Sequence, residues 1–330
     1  MDGPLTLEYC QKFPKIELHA HLHGSIRKST LIELLKSQNI PYDTSCLDST
    51  DPRGSFKIFE LLHAAISSLD HLRRITREVL EDFAEQNTVY MELRTTPRAF
   101  KDSTVDDYVR VLVEEVDKFN KEDKRMIARV ILSINRAYLR EKATETLSLA
   151  LKYKEISNSI VGLDFSGNAF VGHFKDFRDI FEEARKKGLK ITVHTAENIT
   201  EFHEEETDVI LDFGPDRLGH FNYYTEKQLQ TVLEKKIVVE TCPSSNKFTM
   251  NLKDYEEHHF GQLVKAGVPL AISTDDTVIL DIDISEEIYR VCKAFGMNEK
   301  EVKEVILSGV PGIFDASLVD KIDEIIRCFE

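Results

Sequence analysis

Eight short β-rich runs recur along this chain, each separated from the next by a segment with helical periodicity. Such alternation predicts repeated βα units and a parallel sheet. Three of the helical segments end at Gly188, Gly214 and Gly267, directly before the next β run, as helices often do. Eight such units predict an α/β protein with a (β/α)8 TIM barrel and extra helices. The β runs are 15–22, 89–95, 126–134, 160–165, 189–194, 217–220, 237–242 and 268–273.

A doubly wound open sheet is the alternative architecture for the same pattern. The chain has 330 residues, of which 42% are apolar, so it can bury a large core as one domain or as two small ones. No low-complexity linker, repeat or break in composition divides it. We therefore expect residues 1–330 to form a single barrel domain, with a mostly helical insertion from about 56 to 83.

Charge and cysteine content limit the classes of partner. A formal charge of −15 argues against binding of a nucleic acid polymer, so any anionic ligand needs a local basic pocket. Five unevenly spaced cysteines indicate a reducing compartment, and no apolar stretch approaches the length needed to span a membrane. We expect a cytoplasmic monomer that binds a small molecule and no membrane. The cysteines are Cys10, Cys46, Cys242, Cys292 and Cys328.

Potential metal ligands lie at the ends of three predicted strands. His19 and His21 leave the same face of the first strand about 6–7 Å apart. Alone, two such histidines are more often ordinary half-buried residues. His194 ends the fifth β run and Asp275 follows the eighth, so a closed barrel would bring all four to one opening. Three imidazoles and one carboxylate suit zinc, and we expect one Zn²⁺ per chain.

Three further polar residues lie at the same strand ends. Glu197 follows His194 by three residues, His220 ends the sixth run and Asp276 follows Asp275. Taken singly, they read as a helix-start carboxylate, a structural histidine and a turn residue. Together they suit a barrel of the metal-dependent hydrolase type, in which water attacks a carbon while a carboxylic acid protonates the adjoining nitrogen.

These motifs, in their order and context, resemble the adenosine/AMP deaminase family over nearly the whole chain. Within that family, 92–98, 162–168 and the pair His258-His259 are most similar to the branch that acts on N6-methyl-AMP. The motifs that carry the family resemblance are 15–22, His194-x-x-Glu197, Gly219-His220, Cys242-Pro243-x-Ser245 and Thr274-Asp275-Asp276.

The resemblance implies a role for each site residue. His19, His21, His194 and Asp275 would bind zinc. Glu197 would protonate N1 of the purine, His220 would handle the attacking water, and Asp276 would read the purine ring. Gly167 would offer its backbone N–H to the purine, while Ser245 and Glu240 would orient ligands. Water would attack C6, and ammonia or a small amine would leave.

Substrate choice depends on fewer residues. Adenosine deaminases carry an aspartate, suited to a ribose 5′-hydroxyl, where this chain has His23. Removing that carboxylate removes repulsion against a 5′-phosphate, and Thr95, Thr96 and Arg98 are candidates for binding one. The alternative is an ordinary turn around Pro97. The predicted reaction is hydrolytic deamination of N6-methyl-AMP to IMP and methylamine.

Three other functions fit part of the pattern. An adenosine deaminase would convert adenosine to inosine and ammonia, whereas a metal-dependent phosphatase or amide hydrolase would use the same H-x-H. A non-catalytic purine- or metal-binding protein with a relic site is a different class again. The chain also departs from common family patterns at His23, Ala196, Phe221 and 242–246, which leaves the shape of the substrate pocket open.

Overall fold

A computed structural model describes residues 3–43 and 52–329, which leaves Cys46 outside the described part. Eight parallel strands form one sheet in the order in which they occur along the chain. Each predicted β run is therefore a strand, with bounds shifted by up to two residues. The strands are β1 Lys15–His21, β2 Thr88–Thr95, β3 Ile127–Asn135, β4 Ile160–Ser166, β5 Lys190–Thr195, β6 Arg217–His220, β7 Val238–Thr241 and β8 Leu270–Ile272.

The sheet closes on itself between β1 and the backbone just beyond β8. The Asp275 N–H donates to the carbonyl of His19 at 2.8 Å, and the His21 N–H donates to the carbonyl of Asp275 at 3.0 Å. A closed eight-stranded parallel sheet with intervening helices confirms the (β/α)8 prediction over the open-sheet alternative. Closure also fixes Asp275 directly beside the two histidines of β1.

Helices occupy the segments between the strands and add an insertion between β1 and β2. Three short helices were not expected from the sequence: Leu7–Lys12 and Thr277–Leu280 have too few residues for a periodic pattern, and Pro243–Thr249 is mostly polar. The helices are α1 Leu7–Lys12, α2 Lys28–Ser37, α3 Pro52–Ala65, α4 Leu69–Glu85, α5 Val105–Glu122, α6 Arg140–Lys154, α7 Arg178–Lys186, α8 His203–Phe213, α9 Glu226–Lys235, α10 Pro243–Thr249, α11 Phe260–Ala266, α12 Thr277–Leu280, α13 Ile284–Ala294, α14 Glu299–Gly309 and α15 Val319–Arg327.

The start of α5 is defined by a capping box. The Thr104 side chain accepts from the Asp107 N–H at 3.1 Å, and the Asp107 carboxylate accepts from the Thr104 N–H at 3.0 Å. Such reciprocal bonds satisfy two backbone donors that the first turn of a helix leaves free. They fix the register of α5, so that Tyr108, directly after the cap, is fully buried against the end of the barrel.

The interior of the barrel contains paired charges as well as apolar side chains. Arg217 contacts Glu92 at 2.6 Å and Glu240 at 2.5 Å, and Arg94 contacts Glu240 at 2.8 Å. All four side chains are fully buried. An unpaired charge in such a place would cost several kcal/mol, so these contacts must form together. The resulting network connects β2, β6 and β7 below the strand ends.

Within the described residues, no helix is long and apolar enough to cross a membrane.

Candidate active site

Four side chains converge where β1, β5 and β8 end. The Nε2 atoms of His21 and His194 are 3.3 Å apart, and Asp275 Oδ1 lies 3.4 Å from His21 Nε2 and 3.7 Å from His19 Nε2. His19 Nε2 is buried and has no hydrogen-bond partner among the described residues. A divalent cation would satisfy this orphaned nitrogen, and imidazole nitrogens with one carboxylate fit such an ion. The structure thus brings together the four expected ligands.

Carboxylates behind the site hold two of these rings by their other nitrogen. His19 Nδ1 lies 2.6 Å from Glu240 Oε2, and His194 Nδ1 lies 2.9 Å from Asp164 Oδ1. Each contact directs Nε2 toward the common centre, which is the usual support of a metal-binding histidine. Burial alone would raise the pKa of Glu240, but Arg94 and Arg217 lower it to about 2, so it stays ionised.

The sequence indicated some of the residues that support the potential ligands and missed another. Glu240 and Ser245 were expected behind the ligands, and Ser245 does lie next to the Asp275 carboxylate. Asp164 was not expected to have a role, although it is a charged residue inside a buried strand. Burial lowers the pKa of His194, but the charge of Asp164 and its hydrogen bond raise it above its ordinary value. Asp164 therefore acts on His194 through its charge and fixes the orientation of the ring through the hydrogen bond to Nδ1.

His220 lies on the far side of Asp275 from His21. Its Nε2 is 3.9 Å from Asp275 Oδ2, and its Nδ1 is 2.9 Å from Asn246 Oδ1. Since an amide oxygen only accepts, the proton of His220 lies on Nδ1 and leaves Nε2 with a free lone pair toward the site. His220 also falls in a potential ligand group with His19 and Asp275, so position alone does not separate it from the ligands.

The backbone at the end of β6 is strained. His220 and Phe221 have φ values of +62° and +52°, a conformation that costs residues other than glycine about 1 kcal/mol or more each. The Phe221 ring is fully buried and stacks on Tyr224 at 4.7 Å, so it packs against the barrel rim. A Cβ on Gly219 would lie 2.9 Å from His19 Cε1, which explains the glycine before His220. The strained backbone of His220 and the close approach of Gly219 to the His19 ring together fix the position of the His220 ring.

Asp276 lies directly against the backbone of the β1 loop. A Cβ on Gly24 would approach Asp276 Oδ1 to 1.5 Å, so only glycine leaves room for this carboxyl group. Asp276 Oδ1 is buried without a hydrogen-bond partner among the described residues. Burial, followed by the charges of Asp275 and Glu197, raises the pKa of Asp276 well above its ordinary value. A protonated Asp276 can donate a hydrogen bond to a ligand.

Glu197 and Gly167 line one small cavity next to His194. The side chain of Glu197 is half-buried, and its backbone carbonyl accepts from the Asn222 amide at 3.1 Å. Gly167 has a φ of +106°, and a Cβ there would meet Asn135 Oδ1 at 2.7 Å. Ala196 is left-handed too, at φ +48°, a conformation that glycine adopts without strain. The cavity walls include Arg136, Gly167, His194, Ala196, Glu197 and His203.

Three of the four residues expected at a phosphate, His23, Thr95 and Arg98, already have hydrogen-bond partners within the protein. The Thr95 hydroxyl is 2.7 Å from the Tyr108 hydroxyl, which in turn is 2.9 Å from His23 Nε2. Arg98 Nη2 donates to the carbonyl of His63 in the last turn of α3 at 3.0 Å and to that of Ile66, just after α3, at 2.6 Å. The side chain of Thr96 is half-buried and makes no hydrogen bond to any described residue.

The ring of His63, on α3, lies 6.1 Å from that of His23. Burial, then Arg98, His63 and His21, lowers the pKa of His23 to about 3, and no carboxylate opposes them. The surroundings of His23 are therefore basic. The local sequence of α3 did not indicate that His63 lies near His23, because the end of α3 is held by Arg98 through hydrogen bonds between residues distant in sequence.

Comparison with known proteins agrees with this geometry. The family model described as adenosine deaminase matches residues 14–325. The adenosine deaminase-like protein of Drosophila melanogaster is 32% identical over 317 residues, covering 92% of each chain. The N6-mAMP deaminase of Arabidopsis thaliana is 32% identical over 339 residues, covering 93% of this chain and 94% of that relative.

Solved structures give the same result. The crystal structure of the arabidopsis N6-mAMP deaminase has a TM-score of 0.89 and 31% identity, and covers 98% of this chain and 100% of that one. Arabidopsis complexes with GMP and with IMP also have TM-scores of 0.89 at 31% identity, and each covers 97% of this chain and 98% of that one. The chain described here thus belongs to the adenosine deaminase family and is a hydrolytic deaminase.

Proposed function

We propose that this enzyme deaminates a purine nucleoside monophosphate at C6, with N6-methyl-AMP converted to IMP and methylamine. The observation that supports a nucleotide over a nucleoside is the basic environment of His23, where the Arg98 guanidinium lowers the pKa of the imidazole and the His63 ring lies 6.1 Å away. A 5′-phosphate would be attracted there, whereas a neutral hydroxyl would gain little. The relative from Arabidopsis thaliana named N6-mAMP deaminase, and the arabidopsis complexes with GMP and IMP, support the same substrate class.

We propose zinc as the metal, held by His19, His21, His194 and Asp275. The supporting observation is the buried, unsatisfied Nε2 of His19, whose ring shares a cluster of donor atoms within 4.8 Å of one another with His21 and His194. Asp275 Oδ1 lies 3.7 Å from the same nitrogen. When bound there, zinc would supply Lewis acidity that makes a water molecule easier to deprotonate. The paired carboxylates Glu240 and Asp164 keep the rings aligned before the ion arrives.

The protein groups divide proton transfer between them. His220 accepts a proton from the attacking water at Nε2, because Asn246 fixes its other proton on Nδ1. Glu197 donates a proton to N1 of the purine as the water oxygen bonds to C6. The exocyclic nitrogen then takes the proton held by His220, its bond to C6 breaks and methylamine leaves. The C6 carbonyl of IMP forms as the proton on the C6 oxygen returns to Glu197. Asp276 and the backbone N–H of Gly167 hold the purine ring through hydrogen bonds.

The test is product formation by chromatography from zinc-loaded protein. N6-methyl-AMP, AMP, adenosine and N6-methyladenosine are offered separately. We expect IMP and methylamine from N6-methyl-AMP, with little product from either nucleoside. Inosine from adenosine alone would instead support the second candidate, an adenosine deaminase. No product from any of the four, with metal confirmed bound, would rule out both substrates.

A further inference from the structure

A line of three polar groups crosses from the barrel wall to the loop after β1. It begins at the hydroxyl of Thr95, the last residue of β2, passes through the hydroxyl of Tyr108 on α5, and ends at Nε2 of His23. The two contacts are 2.7 Å and 2.9 Å long. Thr95 and Tyr108 are both buried, and Tyr108 is fully so. These groups belong to three separate elements, so the alignment depends on tertiary packing.

The direction of both hydrogen bonds follows from which groups must donate. Within the described ranges, the Thr95 hydroxyl has the Tyr108 oxygen as its one partner, so its buried proton is satisfied by donating to that oxygen. The Tyr108 proton is then directed to His23 Nε2. Burial raises the pKa of Tyr108 well above its ordinary value, so the phenol keeps this proton. His23 must therefore carry its own proton on Nδ1.

We propose that Tyr108, held by Thr95, is a positioning residue that fixes the ring orientation and tautomer of His23, so that Nδ1–H is presented to the 5′-phosphate of the substrate. This inference rests on the proposed nucleotide specificity. It assigns Thr95 an indirect role, through Tyr108, in place of a direct contact with phosphate. His23 Nδ1 has no hydrogen-bond partner in the described part of the chain, so it is free to donate to a ligand.

The packing around Tyr108 restrains the phenol ring. Its ring lies 5.8 Å from that of Phe100, and the Arg98 guanidinium lies over Phe100 at 5.3 Å. Arg98 in turn donates hydrogen bonds to two carbonyls at the end of α3, those of His63 and Ile66. Without the Tyr108 hydroxyl, the ring of His23 would lose its one observed hydrogen bond while the surrounding apolar packing remained. Substitution by phenylalanine therefore isolates the hydroxyl.

The experiment compares Y108F with the wild-type zinc enzyme in two ways. The first is long-range ¹H–¹⁵N NMR of the histidine rings in ligand-free protein, with His23 assigned by the signal lost in H23Q. We expect His23 to be protonated at Nδ1 in the wild type and to become a mixture of tautomers in Y108F. The second is the ratio of kcat/KM for N6-methyl-AMP to that for N6-methyladenosine, which should fall about 5- to 20-fold in Y108F.

The matched control is Y153F. Tyr153 on α6 is also buried, and its hydroxyl donates to the Asp106 carbonyl at 3.2 Å, away from His23. Y153F should change neither the His23 tautomer nor the substrate ratio. An unchanged tautomer in Y108F, or a substrate ratio equal to that of Y153F, overturns the role of Tyr108. If the wild type itself shows no preference for the nucleotide, the proposed function fails. The tautomer of His23 in Y108F tests the role of Tyr108 separately, so the two failures can be distinguished.

Discussion

Glu240 and His19 are joined across the barrel by a 2.6 Å contact between Oε2 and Nδ1, with both side chains fully buried. Glu240 also accepts hydrogen bonds from Arg94 and Arg217, so it cannot rotate away. A carboxylate on β7 thereby fixes a potential ligand on β1. The orientation of His19 therefore depends on the buried contacts that Glu240 makes with Arg94 and Arg217.

The substitution Glu240→Gln should weaken metal binding about 10- to 100-fold, because it removes the charge that orients the His19 ring. Metal affinity can be measured by competition with a coloured chelator. Glu92→Gln is the control, since Glu92 also pairs with Arg217 but contacts no histidine of the site. Equal metal affinities in the two variants would show that Glu240 acts only through folding.

The substitution Asn246→Ala should lower kcat about 10- to 100-fold while metal content stays near one ion per chain. Without the Asn246 oxygen, His220 can carry its proton on Nε2 and then cannot accept one from water. Steady-state kinetics with elemental analysis would measure both quantities. Asn120→Ala removes a similar side chain that bonds only the Ala128 backbone, and its kcat should be unchanged. A normal kcat in Asn246→Ala would contradict the assigned tautomer.

The substitution Gly24→Ala should reduce kcat/KM at least about 100-fold, because the added methyl group would displace Asp276 from the pocket. Gly188→Ala is a suitable control. It introduces strain at a φ of +78° in open space, distant from the site, and should affect stability more than activity. Activity and the free energy of unfolding would both be measured. Full activity in Gly24→Ala would mean that Asp276 is not needed where the structure places it.

Glu287 on α13 predicts a pH dependence of stability. Burial raises the pKa of this carboxyl group from 4.5 to about 8, where it contacts Ser244. Between these values the unfolded chain releases the proton and the folded protein keeps it. The free energy of unfolding should therefore fall by about 1.4 kcal/mol for each pH unit of rise across this window, because of this group.

Glu287→Gln keeps the neutral form at every pH and should flatten the dependence. Urea unfolding at several pH values between 5 and 8 would measure it, with Glu286→Gln, which removes a surface carboxylate that pairs with Arg290, as the control. Parallel pH profiles for wild type and Glu287→Gln would contradict the raised pKa.

The sequence predicted the strands because their signals are local. Apolar β runs and the glycines that end helices, such as Gly214 and Gly267, lie next to one another in the chain. Shifts were small, the largest at β8, where the predicted 268–273 became Leu270–Ile272. The helix Pro243–Thr249 was missed because its seven residues, PSSNKFT, are mostly polar and show no apolar periodicity.

The sequence by itself also determined the four candidate ligands, because parallel strands in a closed barrel bring His19 and His194 to the same opening whatever the side-chain packing. The family resemblance also pointed to Glu240 as an orienting residue, but only the tertiary structure decided which residue each supporting group contacts. The pairing of Glu240 with His19, of Asp164 with His194 and of Tyr108 with His23 joins residues up to 221 positions apart. Such contacts leave no periodic trace in the chain, since their energy depends on burial and distance and not on spacing in the sequence.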